Sequence, residues 1–401
     1  MTSAVPALAD LPEWNLADLY AAPDSPAFAA DMKAARERTA EFAGAWAGKL
    51  AGASPADLAR AIAAYESLSD LVGRIGSYAQ LHYVGNTADT ARAKFYGDVS
   101  NALTELSGQL LFFELDLNKI DDAALTAAMK EPALAHYKPW LDNLRMEKPY
   151  QLDDRLEQLF LEKSQTAAGA FNRLFDETMA DLRFEIDGEK LTLEPTLNLM
   201  QSPDGTVRRR GAEALAATFK SNLRLFTLIT NTLAKDKDIS DKWRGFKDIA
   251  DARHLSNRVE PEVVAALVEA VRAAYPKLSH RYYRMKAKWL GKDKLMHWDR
   301  NAPLPQEDTR EIPWGEAKDM VLSAYGEFDP DMAKIAGDFF DKRWIDAPAR
   351  PGKSPGAFAH PTVPSAHPYV LLNYLGKPRD VMTLAHELGH GVHQVLAAPQ
   401  G

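Results

Sequence analysis

The sequence predicts a mainly α fold, and three observations predict it. From about residue 26 to residue 275 the chain reads as helix after helix. Strand signals are confined to short stretches, one near residue 185, one at 295–298 and one in and just after the proline-rich region that follows residue 346. The last strong periodic segment, near the C-terminal end, is again an amphipathic helix.

Taken in order, Ser54-Pro55 supplies an N-cap followed by a proline whose fixed φ suits the first helical position. Leu103, Leu106, Leu110, Phe113 and Leu117 recur at alternating intervals of 3 and 4, which places one apolar stripe on a helix and marks it as core. Asn86-Thr87 and the stretch 118–122 read as connections. In RFEIDGEKLTL (183–193), Asp187-Gly188 is a favoured two-residue turn between alternating apolar positions, so a small hairpin is expected. A domain boundary is placed beside it, dividing a helical domain, 1–190, from a second domain, 191–401.

Arg208, Arg209 and Arg210 fall near the start of a helix that Ser202-Pro203 would cap, and read as a solvated face. A helical run over 261–290 ends at Gly291, a residue suited to the position after a helix C-terminus. Residues 295–298 then read as a short strand in which His297 is structural. Between Ala347 and Pro368 the chain carries Pro348, Pro351, Pro355, Pro361, Pro364 and Pro368, so this stretch is not helical. Two strands are expected, 356–360 within it and 369–374 just after it.

Composition narrows the function classes. Hydrophobic residues make up 46% and charged residues 26% of the 401, as in an ordinary globular protein. A net charge of −8 gives nucleic-acid binding no electrostatic support. The absence of cysteine excludes disulfides and thiolate ligands and fits a reducing compartment. No apolar run approaches membrane-spanning length, and the N-terminal residues lack the pattern of a secretory signal. The expectation is a cytoplasmic protein without membrane or nucleic-acid partners, of unassigned oligomeric state.

The segment VMTLAHELGHGVHQ (381–394) carries the chemistry. His386 and His390 are four residues apart, one turn of a helix, so both imidazoles can reach one zinc ion. Glu387 lies about 100° round from His386, close to the zinc without displacing a ligand, where it can serve as a general base. Asp380 is read as the N-cap of this helix, and Leu384, Leu388, Val392 and Val395 fall on the opposite, apolar side. Gly389 and Gly391 are poor helix formers and suggest that something approaches the helix closely. His393 is two turns from His386, roughly 10 Å along the axis, too far to share its metal. It reads either as a substrate contact or as a partly exposed helix histidine. Metzincins are excluded, because that pattern needs Gly at 393 and His at 396, where this chain has His393 and Leu396.

A catalytic zinc takes three protein ligands and keeps one open position. The residues after His390, GVHQVLAAPQG, contain no Asp or Glu, so the third ligand is expected elsewhere. A strand beside the zinc is a natural site for an extended peptide, held through its backbone. Gly356, Ala357 and Phe358 are the candidate edge, because small residues let another backbone approach. His360 and His367 have no assigned role.

GKSPGAF (352–358), HPYVLLNY (367–374) and DVMTLAHELGHGVH (380–393), with EWNLADLY (13–20), LFLEKS (159–164) and ARHLSNRVEPEVV (252–264), resemble the M3 family of zinc metallopeptidases, specifically the oligoendopeptidase F group. The resemblance implies a multi-helix zincin-like peptidase with a small sheet beside the zinc helix. It also implies one zinc per chain, a third ligand Glu on a following helix beyond residue 401, and oxyanion-stabilising Tyr and His further on. On that reading 191–401 is the N-terminal portion of the M3 catalytic domain, its C-terminal part is missing, and the 401 residues alone are inactive or weak. Short unstructured peptides would be the substrates. The competing expectation is a non-catalytic helical protein that binds peptides or zinc.

Overall fold

A computed structural model describes residues 11–305 and 310–401. Among the described residues nine α-helices come first: α1 (Pro26–Trp46), α2 (Pro55–Val84), α3 (Thr90–Leu110), α4 (Phe112–Lys119), α5 (Asp122–Ala128), α6 (Pro132–Ala135), α7 (Lys138–Glu147), α8 (Asp154–Ser164) and α9 (Ala168–Asp181). A hairpin follows, β1 (Phe184–Ile186) and β2 (Glu189–Leu191). Next are α10 (Leu193–Leu199), α11 (Gly205–Ser221), α12 (Leu223–Arg244), α13 (Asp251–Ser256), α14 (Pro261–Ala274) and α15 (Ser279–Trp289). The chain closes with α16 (Trp314–Phe328), α17 (Pro330–Asp341), β3 (Ile345–Pro348), β4 (Phe358–His360), β5 (Tyr369–Tyr374) and α18 (Pro378–Ala397).

Local signals explain most of these starts and stops. Ser54 caps α2 by accepting from the Asp57 amide at 3.1 Å, with Pro55 at the first helical position. The expected hairpin forms, with Asp187 and Gly188 both at positive φ (55° and 87°), the requirement of a type I′ turn. The expected stripe is buried at Leu106, Leu110, Phe113 and Leu117 and half-buried at Leu103, but the helix carrying it breaks at Leu111 into α3 and α4.

Four expectations need correction. The run 261–290 is two helices, α14 and α15, because Pro276 interrupts it. Residues 295–298 form no strand: Asp299 accepts from the Met296 amide at 3.0 Å and folds His297–Asp299 into a 3-10 turn. The cap of α11 is Asp204, which accepts from Thr206 N at 2.7 Å, rather than Ser202-Pro203. Arg208 is not solvated but buried, donating to Asp299 at 2.7 Å, and Lys292 bonds the other oxygen of that carboxylate at 2.6 Å. Removing Asp299 from the buried Arg208–Asp299 pair would leave the other charge uncompensated.

The core that positions the site joins distant parts of the chain. Leu19, Tyr78 and Leu81 from the N-terminal helices share one cluster with Val370 and Leu372 of β5 and Leu384 and Leu388 of α18. A second cluster, including Phe42, Leu68, Phe113 and Leu134, lies within the first half. The sheet order is β3-β5-β4, with β3 parallel and β4 antiparallel to the central β5. A central strand covered on both faces is apolar throughout, and five of the six residues of YVLLNY are buried.

The loop leading into β4 is tied to the turn between α2 and α3. Ser354 N donates to Val84 O at 2.9 Å, Arg350 to Gly85 O at 3.2 Å, and Thr87 N to Gly352 O at 2.6 Å. Gly352 has φ +80°, and a Cβ there would lie 2.1 Å from Asn86 Oδ1, so only glycine fits. Lys353 is fully enclosed, donating to Asp346 Oδ1 at 2.5 Å, Asp346 O at 3.0 Å and Pro348 O at 2.8 Å.

Candidate active site

α18 is built to present one face outward. It starts earlier than Asp380: Pro378 is at the first helical position, Lys377 is the cap, and Asp380 is three residues in. From there the Asp380 carboxylate reaches back to accept from Leu375 N at 2.9 Å and Lys377 N at 3.0 Å, so it organises the entry without being the cap. Burial raises the pKa of Asp380, and those two backbone bonds oppose the shift.

The back of the helix is anchored as its periodicity predicts, with Leu384 and Leu388 at 0% exposure and Val392 buried. Gly391 is where a neighbour comes close: a Cβ there would lie 2.6 Å from the ring of Phe339 on α17. Gly389 is less crowded, its nearest neighbour being the Tyr325 hydroxyl at 3.4 Å. That hydroxyl donates to the Ala385 carbonyl, fixing the middle of α18 against α16.

On the front, His386 Nε2 and His390 Nε2 stand 3.1 Å apart, with the rings at 88° to one another. Two nitrogens each about 2.0–2.1 Å from one tetrahedral zinc are separated by about 3.3 Å, so the pair fits a shared ion. Both imidazoles are exposed. Glu387, 9% exposed, lines the same cleft as His386. Among the described residues no third His, Asp, Glu or Cys joins the pair. His393 is exposed on the following turn and lines neither lobe of the cleft described next.

The cleft in front of α18 has two lobes. The larger, about 970 Å³, lies between Thr383, His386 and Glu387 on one side and Gln201, Ser202 and Lys286 on the other. The smaller, about 650 Å³, is lined by Glu194, Gly356, Ala357 and Asn373. Gln201, Arg300, Asn301, Arg379 and Thr383 line both, so the lobes are continuous.

The candidate peptide edge is thereby partly brought to the site and partly not. β4 is an edge strand, but it begins at Phe358, two residues later than expected. Gly356 precedes it at φ +81° with its backbone already engaged: its N–H donates to Glu194 at 2.8 Å and its carbonyl accepts from Asn373 at 2.8 Å. Phe358 packs on the core. Gln394 Nε2 reaches the Ala359 carbonyl at 3.5 Å. Ala357, just before β4, packs against the core and lines the smaller lobe.

His367 is structural, stacked on Trp344 at 3.7 Å and within 3.0 Å of the Asp18 carboxylate. His360 Nε2 is buried without a partner among the described residues, and burial holds its pKa below the ordinary value. His297 borders the smaller lobe without a second donor at metal spacing. Sequence reasoning missed Glu194, Arg300, Asn373 and Arg379, which come from four separate segments and carry no shared spacing.

A sequence profile for peptidase family M3 matches residues 198–400, half of the chain, and one for oligopeptidase F matches 116–184. The chain belongs to peptidase family M3. Its M3 relatives include oligopeptidase PepF of Bacillus subtilis, 24% identical over 95% of this chain, and an oligoendopeptidase F homolog of Borreliella burgdorferi, 27% identical over 83%. The chain spans 57% and 56% of the lengths of those two proteins. Its fold matches the crystal structure of an oligoendopeptidase F from Bacillus anthracis with a TM-score of 0.74 and 17% identity, covering 90% of this chain and 64% of that one. No helix among the described residues of this M3 chain is long and apolar enough to cross a membrane.

Proposed function

We propose that this M3 chain carries the zinc-binding helix and much of the substrate cleft of a zinc endopeptidase acting on short, unstructured peptides. The observation that carries the reading is the pair of Nε2 atoms 3.1 Å apart beside Glu387 on a 970 Å³ cleft. His386 and His390 would hold the metal, with a carboxylate supplied from outside the 401 residues as third ligand. Bound there, zinc would supply Lewis acidity, lowering the pKa of water to about 7 and polarising a peptide carbonyl.

The chain's own residues account for the rest. Glu387 takes a proton from the attacking water and returns it to the leaving amine, which its place beside His386 and its access to the cleft allow. Ala357 offers its backbone to an extended peptide lying along β4. The wall formed by Gln201, Ser202 and Lys286 faces α18 across the cleft and narrows access for bulky folded chains. His393 has no place in this scheme. Residues 1–190 would form the helical domain and 191–401 the start of the catalytic one, although the largest core cluster crosses that division. The lack of cysteine supports a cytoplasmic setting.

The test pairs zinc binding with hydrolysis of a quenched fluorescent peptide. In a chain extended by the C-terminal sequence of its relatives, Glu387→Gln keeps zinc and loses at least about 100-fold in turnover. Retained turnover removes Glu387 as the base. A second reading, a non-catalytic peptide- or zinc-binding protein, draws on the absence of a third ligand among the described residues. Hydrolysis that follows zinc content excludes it.

A further inference from the structure

The walls of the cleft carry more positive charge than they neutralise, in a protein whose net charge is −8. Arg300, after the turn that follows α15, and Arg379, in the first turn of α18, line both lobes where they meet. Both side chains are exposed, and neither has an ion-pair or hydrogen-bond partner among the described residues. Other arginines of the chain are committed: Arg208 to Asp299, Arg244 to Glu157, Arg258 to Glu147 and Arg350 to Asp346.

Three acids line the cleft against four Lys and Arg, and Asp380, next to Arg379, interacts with it electrostatically without forming an ion pair. Glu194 accepts from the Gly356 amide at 2.8 Å, and Asp380 accepts from Leu375 N and Lys377 N. Glu387 is required for proton transfer in the reading above. Lys286 is spent on the Arg300 carbonyl at 2.8 Å, which holds the Arg300 backbone at the cleft wall.

We propose that Arg300 and Arg379 form a carboxylate-binding subsite at the junction of the two lobes, selecting oligopeptides that carry an anionic group near the bond to be cut. The position of the subsite beside a scissile bond rests on the peptidase reading, but the binding preference stands without it. The planar guanidinium fork matches a carboxylate with two parallel N–H···O bonds, which a lysine cannot reproduce. A peptide lying along Ala357 with its scissile bond beside Glu387 crosses the junction of the lobes that both arginines line. Their carboxylate partner is either a peptide C-terminus or an Asp or Glu side chain.

The experiment measures binding of fluorescein-labelled peptides to the 401-residue chain by anisotropy, with chelator present to stop turnover. Three peptides share one core: one with a free C-terminus, one amidated with a Glu in the core, and one neutral and amidated. At least one anionic peptide is expected to bind about 10-fold tighter than the neutral one, a preference that weakens as salt rises. Arg300→Gln and Arg379→Gln should each remove most of that preference and leave neutral-peptide affinity and the melting temperature unchanged. Arg379→Lys should restore only part of it. Preference for the free C-terminus assigns the terminal carboxylate, and preference for the amidated Glu peptide assigns the side chain. Equal binding of all three peptides, or a preference that survives in the double variant, overturns the proposal. A cleavage assay run in parallel on zinc-loaded chain extended by the C-terminal sequence of its relatives separates the two ideas: arginine-dependent preference without hydrolysis there keeps the subsite and removes the peptidase reading.

Discussion

Two amphipathic segments of this chain look alike in sequence and end in opposite surroundings. The stripe shared by α3 and α4 is buried at Leu106, Leu110, Phe113 and Leu117. The stripe of α14 is open, with Val263 at 55% and Leu267 at 63% exposure, and no residue of that helix is buried. Trp243, Ile249, Leu278 and Trp289 add exposed apolar area on the neighbouring elements. Helical periodicity establishes that a face is apolar; it does not establish what covers it. The same distinction holds within α18, whose back is covered by the sheet, α16 and α17 while His386 and His390 on its front are exposed.

The largest expected effect comes from the covered stripe. Phe113→Ala removes a ring at 0% exposure and should cost about 3–5 kcal/mol in denaturant unfolding. A loss below 1 kcal/mol, roughly that of a surface change, would mean that this core is looser than the burial implies. Next in size is Gly391→Ala, whose new methyl meets the Phe339 ring at 2.6 Å. It should destabilise by about 1–3 kcal/mol, and Phe339→Leu in the same chain should recover part of the loss. Full additivity of the two substitutions would deny that contact.

A smaller effect is expected at His360. Burial depresses its pKa below the ordinary 6.5, so on acidification the unfolded chain takes up a proton before the folded one does. Its contribution is therefore fully present above about pH 6.5 and is lost as pH falls below that value. His360→Leu should flatten the fall of melting temperature with pH between about 6.5 and 5, and an unchanged slope would place His360 in water. The smallest effect belongs to the open stripe. Leu267→Ser should change stability by no more than about 0.5 kcal/mol while reducing binding of a hydrophobic dye. A cost above about 2 kcal/mol would show that α14 is covered in solution.

Much of the site was legible because it is local. The spacing of His386, Glu387 and His390 within one helix sets their mutual geometry, and the apolar back of α18 follows from the same period. The hairpin was legible for a similar reason: Asp187-Gly188 meets a demand of two adjacent residues. What escaped depends on distant partners. Arg208 looked solvated within a basic triplet, and its counterion is 91 residues away. A strand was expected at 295–298 because the pull of the buried Asp299 on the Met296 amide was not visible in the sequence. Gly356 looked like an open backbone, but Glu194 and Asn373 occupy both of its polar groups.

Titration of the 401-residue chain with zinc, in wild type and in single alanine variants, tests the central claim most directly. One zinc per chain, lost in His386→Ala and in His390→Ala and kept in His393→Ala, is the predicted result. Zinc uptake that survives His386→Ala, or that disappears in His393→Ala, would contradict the assignment of the metal to this pair.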